Sequence, residues 1–404
     1  MTDLRPTATR SGPTRVERPT SVSETAELLR GTEGTLLFRG AGTCLGWAGT
    51  VPATDLTVDT RGMAAVLDHT PADMTAAVQA GTSLADLQAQ LAGHGQWLAL
   101  DPPTEAAGAT IGGLLAAGDS GPSRLRYGNL RDLVIGVTMV LADGTVARSG
   151  GHVIKNVAGY DLAKLLHGSL GSLALVAEVV LRLHPRPVEQ ITTAGPADAR
   201  QAAEAAGLIA ASALEPTAVE WVQRDDDGGR LLVRDSGSPV AVAAAASQLQ
   251  TLLARAGVPA AVCAPEDVAG AWAEQARAVD GEEGDTVLRV TTLPTDLTAT
   301  AAHASRAGAA SGVGVRLTSS VMLGVHTLRL RGPEPAAVAG VAAEVRRHAL
   351  DLGGAVMLRR RPVEVDELLD ALGPPPSSVE LLRRVKAQLD PTGRCAPDRF
   401  RPWY

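Results

Sequence analysis

Residues 38–50, FRGAGTCLGWAGT, place four glycines in thirteen positions and contain no lysine. Glycine lets a backbone come close to a phosphate because it carries no Cβ. A Walker A loop requires a Gly-Lys pair, so this stretch is not one. Gly40, Gly42 and Gly46 form GxGxxxG, which is close to a dinucleotide fingerprint. The tryptophan, glycine and proline that follow would break the helix that such a site needs, and this disfavours a standard Rossmann site.

Two interpretations of the stretch remain open. One is a glycine-rich surface loop without a ligand. The other is a loop that surrounds a phosphate with successive backbone N–H groups, and it predicts further glycine-rich loops because one loop cannot enclose a dinucleotide. Such loops occur at 102–118, PPTEAAGATIGGLLAAG, and at 150–171, GGHVIKNVAGYDLAKLLHGSLG.

Length and composition limit the classes of protein. A chain of 404 residues exceeds one compact core, so two or three domains are expected. The net charge of −7, the absence of a long basic run and an aromatic content of 2% argue against a nucleic-acid partner. Cys44, Cys263 and Cys395 form no CxxC pair, which indicates a reducing compartment, no disulfides and no zinc or iron–sulfur site.

The polar, proline-rich start lacks the apolar core of a signal peptide, so residues 1–18 are expected to be a flexible leader. No apolar run approaches the roughly 20 residues that a membrane helix needs. We therefore expect a cytoplasmic protein without a transmembrane segment, which only a partner would bring to the inner face of a membrane.

The pattern along the chain changes near residue 187. Before it, Ser21–Glu24 has capping-box spacing for a helix that Gly31 ends, and LVIGVTMVLADGTVARSG predicts a hairpin with a two-residue Asp143-Gly144 turn. After it, alanine-rich helical stretches alternate with short β-rich runs, which indicates an α+β fold. The helical stretches are 196–214, 239–256 and 336–350, and the β-rich runs include 326–332 and 355–361. No internal repeat is apparent.

Several motifs in order resemble a known family. RGAGT, PPTEAAGATIGG, AAGDSGPSRLRYGNLRDL and KNVAGYDLAKLLHGSLGSLALVAEVV, which together span about 38–187, resemble the FAD-binding half of vanillyl-alcohol-oxidase-type (PCMH-type) flavoproteins. Within that superfamily they are most similar to the FAD-binding E subunits of bacterial glycolate oxidases. The acidic-Pro-x-Gly tail at Asp390, Pro391 and Gly393 also resembles the C-terminus of the family.

The resemblance implies an α+β fold with two domains. An FAD-binding domain at 19–187 would contain two α+β subdomains, at about 19–62 and 63–187. A ferredoxin-like α+β cap domain would occupy 188–404, and its C-terminal tail would return to the FAD domain.

The resemblance also implies which residues contact FAD. Arg39 would anchor the first loop, although an ordinary salt bridge at the end of a strand explains it equally well. Lys155 would offset charge on the reduced flavin ring, and a solvated loop lysine is the alternative. The expected FAD-binding residues are Arg39, Gly40, Ala41, Gly42, Thr43, Cys44, Leu45, Pro102, Thr104, Gly108, Thr110, Ile111, Gly112, Gly113, Gly118, Gly128, Lys155, Gly159, Tyr160, Asp161, Gly168, Gly171 and Val176.

Two departures from the family concern the first loop. Ala41 stands where many relatives have glycine, and its methyl group is small enough for binding to survive. Residues 38–50 contain no histidine, through which some relatives attach FAD covalently, so non-covalent FAD is expected. Cys44 is interpreted as a small packed residue rather than a redox thiol.

The chemistry is less defined than the cofactor. Related 2-hydroxy acid oxidases carry a histidine-rich metal motif in the cap, whereas His303, His326 and His348 are isolated in this sequence, so no metal site is expected. The resemblance implies an FAD subunit in a complex that oxidises glycolate or a related acid, together with a larger flavin subunit and an iron–sulfur subunit. A self-sufficient dehydrogenase and a non-catalytic assembly subunit remain alternatives. His152, Lys155 and Arg126 are the weak catalytic candidates.

Overall fold

The computed structural model describes residues 15–152, 159–224 and 228–404. These residues form two compact units. Unit 1 contains residues 15–120, 128–152, 159–186 and 374–404, and unit 2 contains residues 121–127, 187–224 and 228–373. Among the described residues, no helix combines the length and the apolar character that crossing a membrane requires.

Unit 1 is built on a three-stranded and a five-stranded sheet, and it also contains a small two-stranded sheet. Its strands are β1 Arg15–Glu17, β2 Leu36–Arg39, β3 Leu56–Asp59, β4 Val66–Thr70, β5 Thr75–Gln79, β6 Gln96–Trp97, β7 Val134–Val140, β8 Val146–Gly150, β9 Leu175–Arg182 and β10 His184–Pro185. Its helices are α1 Val22–Arg30, α2 Leu84–Ala92, α3 Ile111–Ala117, α5 Leu130–Leu133, α6 Leu162–Leu166 and α13 Val379–Leu389, while α4 Arg124–Tyr127 belongs to unit 2.

The first sheet of unit 1 is parallel, with strand order β1-β3-β2. Its apolar residues, such as Leu36 and Val58, form one buried cluster with Leu29 of α1. Ser21 caps α1 by accepting from Glu24 N, while Gly31 ends the helix without a left-handed backbone. Residues 15–17 were assigned to a flexible leader from their polarity, but they form β1; the remainder of that leader, 1–14, lies outside the described residues.

The second sheet of unit 1 is antiparallel, with strand order β4-β5-β9-β7-β8. The predicted hairpin is confirmed as β7 and β8, but its two-residue turn is wrong. Leu141 N donates to Thr145 O at 2.9 Å, and Gly144 N donates to Leu141 O at 3.0 Å, which leaves a three-residue loop. Gly144 has a φ of +82°, the left-handed residue that closes a type I turn of this length.

Unit 2 consists of one large antiparallel sheet and its helices. Its strands are β11 Glu189–Ala197, β12 Ala218–Gln223, β13 Gly229–Gly237, β14 Ala261–Val262, β15 Thr286–Thr291, β16 Gly314–Ser320, β17 Val325–Arg331 and β18 Ala355–Arg360. Its further helices are α7 Ala199–Ala210, α8 Pro239–Arg255, α9 Pro265–Asp280, α10 Leu297–Ser311, α11 Pro335–Asp351 and α12 Val363–Asp366.

The sheet of unit 2 contains a structural repeat. Its order is β14-β11-β13-β12-β16-β17-β15-β18, and each half follows the order βαββαβ along the chain. That is the ferredoxin-like arrangement, and it occurs twice, joined where β12 pairs with β16. The expectation of no internal repeat is therefore wrong, whereas the predicted α+β fold class is confirmed. The sequence hid the repeat because the halves share a pattern of elements and not a string of residues.

Candidate functional site

A cleft in unit 1 opens beside the loop that follows β2. It contains about 680 Å³ of space between the protein atoms, part of which is open to solvent. We call it the glycine cleft. Its lining residues are Phe38, Arg39, Gly40, Ala41, Gly42, Thr43, Cys44, Leu45, Thr60, Thr110, Gly112, Gly113, Ala116, Ala117, Leu170, Gly171, Ala174, Leu175, Val176 and Arg399.

The first wall of the glycine cleft is the loop itself. Residues 40–55 form neither helix nor strand, so the loop does not open a helix and the Rossmann alternative is excluded. Gly42 has a φ of +82°, which side chains rarely adopt. Within the described part of the chain, the N–H groups of Ala41, Gly42 and Thr43 have no hydrogen-bond acceptor. Three consecutive unsatisfied donors make a loop suited to an anion.

The second wall is the start of α3. Thr110 caps this helix, and its Oγ1 accepts from Gly113 N at 3.3 Å. A Cβ on Gly40 would overlap Thr110 Oγ1. The backbone of the loop therefore packs directly against the Thr110 side chain, with no room for a side chain at residue 40. A Cβ on Gly112 would lie 2.6 Å from Ala80 Cβ, which explains why α3 needs glycine there as well.

The third wall is the segment that leads into β9. Leu170 and Gly171 have φ values of +50° and +75°, and Leu170 N donates to Ala116 O at 2.7 Å. A Cβ on Gly171 would meet only Phe38, at 3.7 Å. The backbone here is therefore held by α3, and Gly171 adds no side chain to the cleft that it lines.

Positive charge collects at the base of the first wall. The Asp59 carboxylate is buried and lies 2.9 Å from Arg18, 2.6 Å from Arg61 and 3.8 Å from Arg39. Burial opposes its ionisation, but the hydrogen bonds from Arg61 and Arg18 prevail and hold the pKa of Asp59 far below its usual range. Arg39 Nε is buried and has no hydrogen-bond partner in the described residues. Three guanidinium groups around one carboxylate leave an excess of positive charge beside the loop.

Twelve of the predicted FAD-binding residues line the glycine cleft, namely Arg39, Gly40, Ala41, Gly42, Thr43, Cys44, Leu45, Thr110, Gly112, Gly113, Gly171 and Val176. Others lie elsewhere in unit 1, namely Pro102, Thr104, Gly108, Ile111, Gly118, Gly128, Gly159, Tyr160, Asp161 and Gly168. Thr104, for example, donates from Oγ1 to the buried Asp119 carboxylate at 2.7 Å, and Tyr160 is 89% exposed. Lys155 lies outside the described residues.

Sequence reasoning missed several lining residues. Thr60 directly follows β3, and its Oγ1 donates to Arg39 O at 3.3 Å. A hydroxyl residue at the end of the strand that follows a glycine-rich loop could have indicated this lining position. Ala116, Ala117 and Leu170 belong to segments that the motifs already covered. Arg399 is 350 residues or more from the loop whose carbonyls it binds, and no sequence spacing points to it.

Of the three catalytic candidates, His152 and Arg126 do not line the glycine cleft, and Lys155 lies outside the described residues. His152 Nδ1 lies 3.9 Å from Asp68 Oδ2 in unit 1, and Arg126 forms an ion pair of 2.6 Å with Glu215 in unit 2. In the described residues no group of three or more histidine, cysteine or acidic side chains is placed to hold a metal ion.

The histidines of unit 2 are less isolated than their sequence positions indicate. His303 and His348 stack with ring centroids 4.1 Å apart. His326 is fully buried and shares hydrogen bonds with Ser319 Oγ and Thr292 Oγ1 at 2.9 and 3.0 Å, and burial lowers its pKa to about 4. Its hydrogen bonds explain His326 as a satisfied core residue.

Comparison with known proteins identifies the first part of the chain. Residues 13–150 match the family described as FAD binding domain, so the chain contains an FAD binding domain of that family. Glycolate oxidase subunit GlcE of Escherichia coli (strain K12) is 38% identical over 136 residues, which are 34% of this chain and 39% of that protein. The D-lactate dehydrogenase of Archaeoglobus fulgidus is 32% identical over 189 residues, 47% of this chain and 42% of that enzyme.

These curated relatives are matched over less than half of their length. A solved structure is similar over more of the chain. An alkyldihydroxyacetonephosphate synthase superposes with a TM-score of 0.71 over 95% of this chain and 75% of that one, at 18% identity. At this identity the similarity shows the fold, which is that of FAD-binding enzymes of the PCMH type.

Proposed function

We propose that this chain, with its FAD binding domain, holds FAD non-covalently in the glycine cleft and serves as the FAD-binding subunit of a 2-hydroxy acid oxidoreductase of the glycolate oxidase kind. The observation that carries the proposal is the run of three unsatisfied N–H groups at Ala41, Gly42 and Thr43 on the cleft wall. A dinucleotide pyrophosphate is the ligand whose oxygens match such a run.

The remaining walls fit the same ligand. Gly40, Gly113 and Gly171 keep side chains out of the cleft, as a backbone that approaches a pyrophosphate must. The buried Arg39 Nε and the arginine excess around Asp59 complement two negative charges. The apolar residues at 174–176 offer a surface for the planar rings of a cofactor.

The binding is proposed to be non-covalent because no histidine is among the described residues that line the glycine cleft. When bound, FAD takes up the two electrons that leave an oxidised hydroxy acid. This chain's own residues bind and orient the cofactor: the loop holds the phosphates, Arg39 balances their charge, and Thr110 fixes the start of α3 against the loop.

The place in a complex rests on the relative named as a glycolate oxidase subunit. The proposed partners are a larger FAD-containing subunit and an iron–sulfur subunit, with glycolate or a related acid as substrate. The D-lactate dehydrogenase similarity supports one alternative, in which the chain oxidises a 2-hydroxy acid without partners.

Cofactor binding is tested with Gly42→Asp, which places a carboxylate against the proposed phosphate position and strains a φ of +82°. Gly95→Asp is the matched control, because Gly95 has a φ of +63° and open space around it in the same unit. We expect the wild-type and G95D proteins to purify with yellow flavin absorbance and the G42D protein to lack it. Flavin retained by G42D would refute the assignment of the loop.

The reaction is tested by adding glycolate or D-lactate anaerobically to the flavin-loaded chain, alone and after co-purification with subunits encoded beside it. Bleaching only in the co-purified complex is the expected result. Bleaching of the chain alone would favour the self-sufficient dehydrogenase. A chain that binds these subunits without flavin would favour an assembly role.

A further inference from the structure

We infer that Arg399, on the C-terminal segment at 394–399, belongs to the cofactor site as a positioning residue for the glycine loop. The contact between Arg399 and the loop is a feature of the structure itself. The identity of the ligand that depends on it, FAD, rests on the function proposed above.

The side chain of Arg399 binds backbone carbonyls in the second half of the loop. Its Nη1 donates to the carbonyls of Leu45 at 2.8 Å, Trp47 at 2.7 Å and Gly49 at 3.0 Å. The residue is only 3% exposed, yet it belongs to the lining of the glycine cleft. One buried guanidinium therefore fixes three carbonyls of a segment that forms neither helix nor strand.

The backbone of the tail adds a second attachment at the same place. Gly49 N donates to Arg399 O at 2.9 Å. A Cβ on Gly49 would overlap Asp398 O and lie 2.9 Å from Arg399 O, so only glycine admits this approach. Asp398 has a φ of +63°, which turns the tail around the loop.

The tail is itself anchored on the strand that leads into the loop. Leu36 N donates to Arg394 O, and Ala396 N donates to Leu36 O, both at 2.8 Å. Cys395 pairs beside Leu36 of β2 and is fully buried. The backbone of Arg394 and Ala396 thus holds the polypeptide before the unsatisfied N–H groups, at β2, and Arg399 holds it after them, at 45–49.

This arrangement has a consequence for affinity. A loop without helix or strand loses conformational entropy when it closes on a ligand, and a loop that is already fixed loses less. Arg399 supplies hydrogen bonds from a charged donor, which are stronger than neutral ones. Its positive charge also favours an anion in the cleft that it lines. Loss of Arg399 should therefore weaken ligand binding more than it weakens the fold.

The test compares Arg399→Ala with Arg394→Ala in the full-length chain. Arg394 lies on the same segment and also donates to three backbone carbonyls, those of Thr32, Gly34 and Ala142, none of which belongs to the loop. Both variants lose the same kind of interaction, and only one loses it at the cleft. The measurements are the Kd for FAD by titration of flavin fluorescence, the urea midpoint of the FAD-free protein, and hydrogen exchange of the amides at 41–49.

We expect R399A to raise the Kd at least about tenfold and to speed amide exchange at 41–49. R394A should lower the urea midpoint about as much as R399A does, but it should change the Kd for FAD less than about threefold. Arg399→Lys, which keeps the charge and three donors, should restore part of the affinity.

Equal changes in Kd for R399A and R394A, or a wild-type Kd in R399A, would overturn the inference. If the wild-type chain itself binds no FAD, the proposed function fails. The exchange of the loop amides then still decides whether Arg399 positions the loop.

Discussion

The contact between Gly40 and Thr110 gives a prediction that tests the two walls of the glycine cleft directly. A Cβ on Gly40 would overlap Thr110 Oγ1 and would lie 3.1 Å from Cγ2 and 3.2 Å from Cβ of the same residue. Gly40→Ala therefore forces the loop and the start of α3 apart. Overpacking of this kind costs about 1–3 kcal/mol of unfolding free energy.

Thr110→Ala removes the obstructing oxygen but also removes the cap of α3, since Oγ1 accepts from Gly113 N. The loss of such a cap costs about 1 kcal/mol. Independent effects would bring the double variant G40A/T110A to a loss of about 2–4 kcal/mol. Because the overlapping oxygen is absent in the double variant, the structure predicts a loss of only about 1–2 kcal/mol, so the two changes should couple by about 1–2 kcal/mol.

The assay is urea unfolding of the FAD-free protein for the wild type, both single variants and the double variant. Gly93→Ala is the control for Gly40→Ala, because its Cβ would meet only Gln90 O at 3.7 Å. Combined with T110A, it should be additive. The double variant should also bind FAD better than G40A alone. Additive losses in G40A/T110A, or a neutral G40A, would refute the packing described for the two walls.

Two further predictions concern the pH dependence of unit 2. Burial raises the pKa of Asp235 to about 6, so this residue destabilises the fold progressively as pH rises from about 4 to about 6. Asp235→Asn should therefore stabilise the protein by about 2–3 kcal/mol near pH 8 and by about half as much near pH 5. A difference in unfolding free energy between variant and wild type that does not shrink on acidification would contradict this. Burial and the neighbouring His303 lower the pKa of His348 in the folded protein. As pH falls below about 6.5, the unfolded chain therefore binds this proton first, and the free energy of unfolding decreases. His348→Gln should flatten the decline of Tm between about pH 7 and pH 5, and slopes identical to the wild type would exclude that role.

Local sequence chemistry predicted much of the neighbourhood of the loop. The proline and glycine after Trp47 indicated that no helix follows, and the structure has none there. The spacing of glycines at 40–42, 112–113 and 171 pointed to three backbone segments without side chains, and all three line one cleft. These signals are local, because a glycine marks a position where a positive φ or a close contact leaves no room for a Cβ.

Contacts between distant segments were not predictable in this way. Arg399 lines the cleft because the tail pairs beside Leu36, which is a tertiary event without a sequence period. The Asp143-Gly144 pair suits two kinds of turn, and the bond between Leu141 and Thr145 decides between them. The repeat in unit 2 lies in the order of its elements, which survives extensive replacement of residues.

The flavin content of the purified wild-type chain shows directly whether the glycine cleft holds FAD. We expect one FAD per chain, with the yellow flavin released into the supernatant when the protein is denatured. A colourless protein whose unfolding midpoint does not change on addition of FAD would contradict it. Flavin that stays with the denatured chain would contradict non-covalent binding.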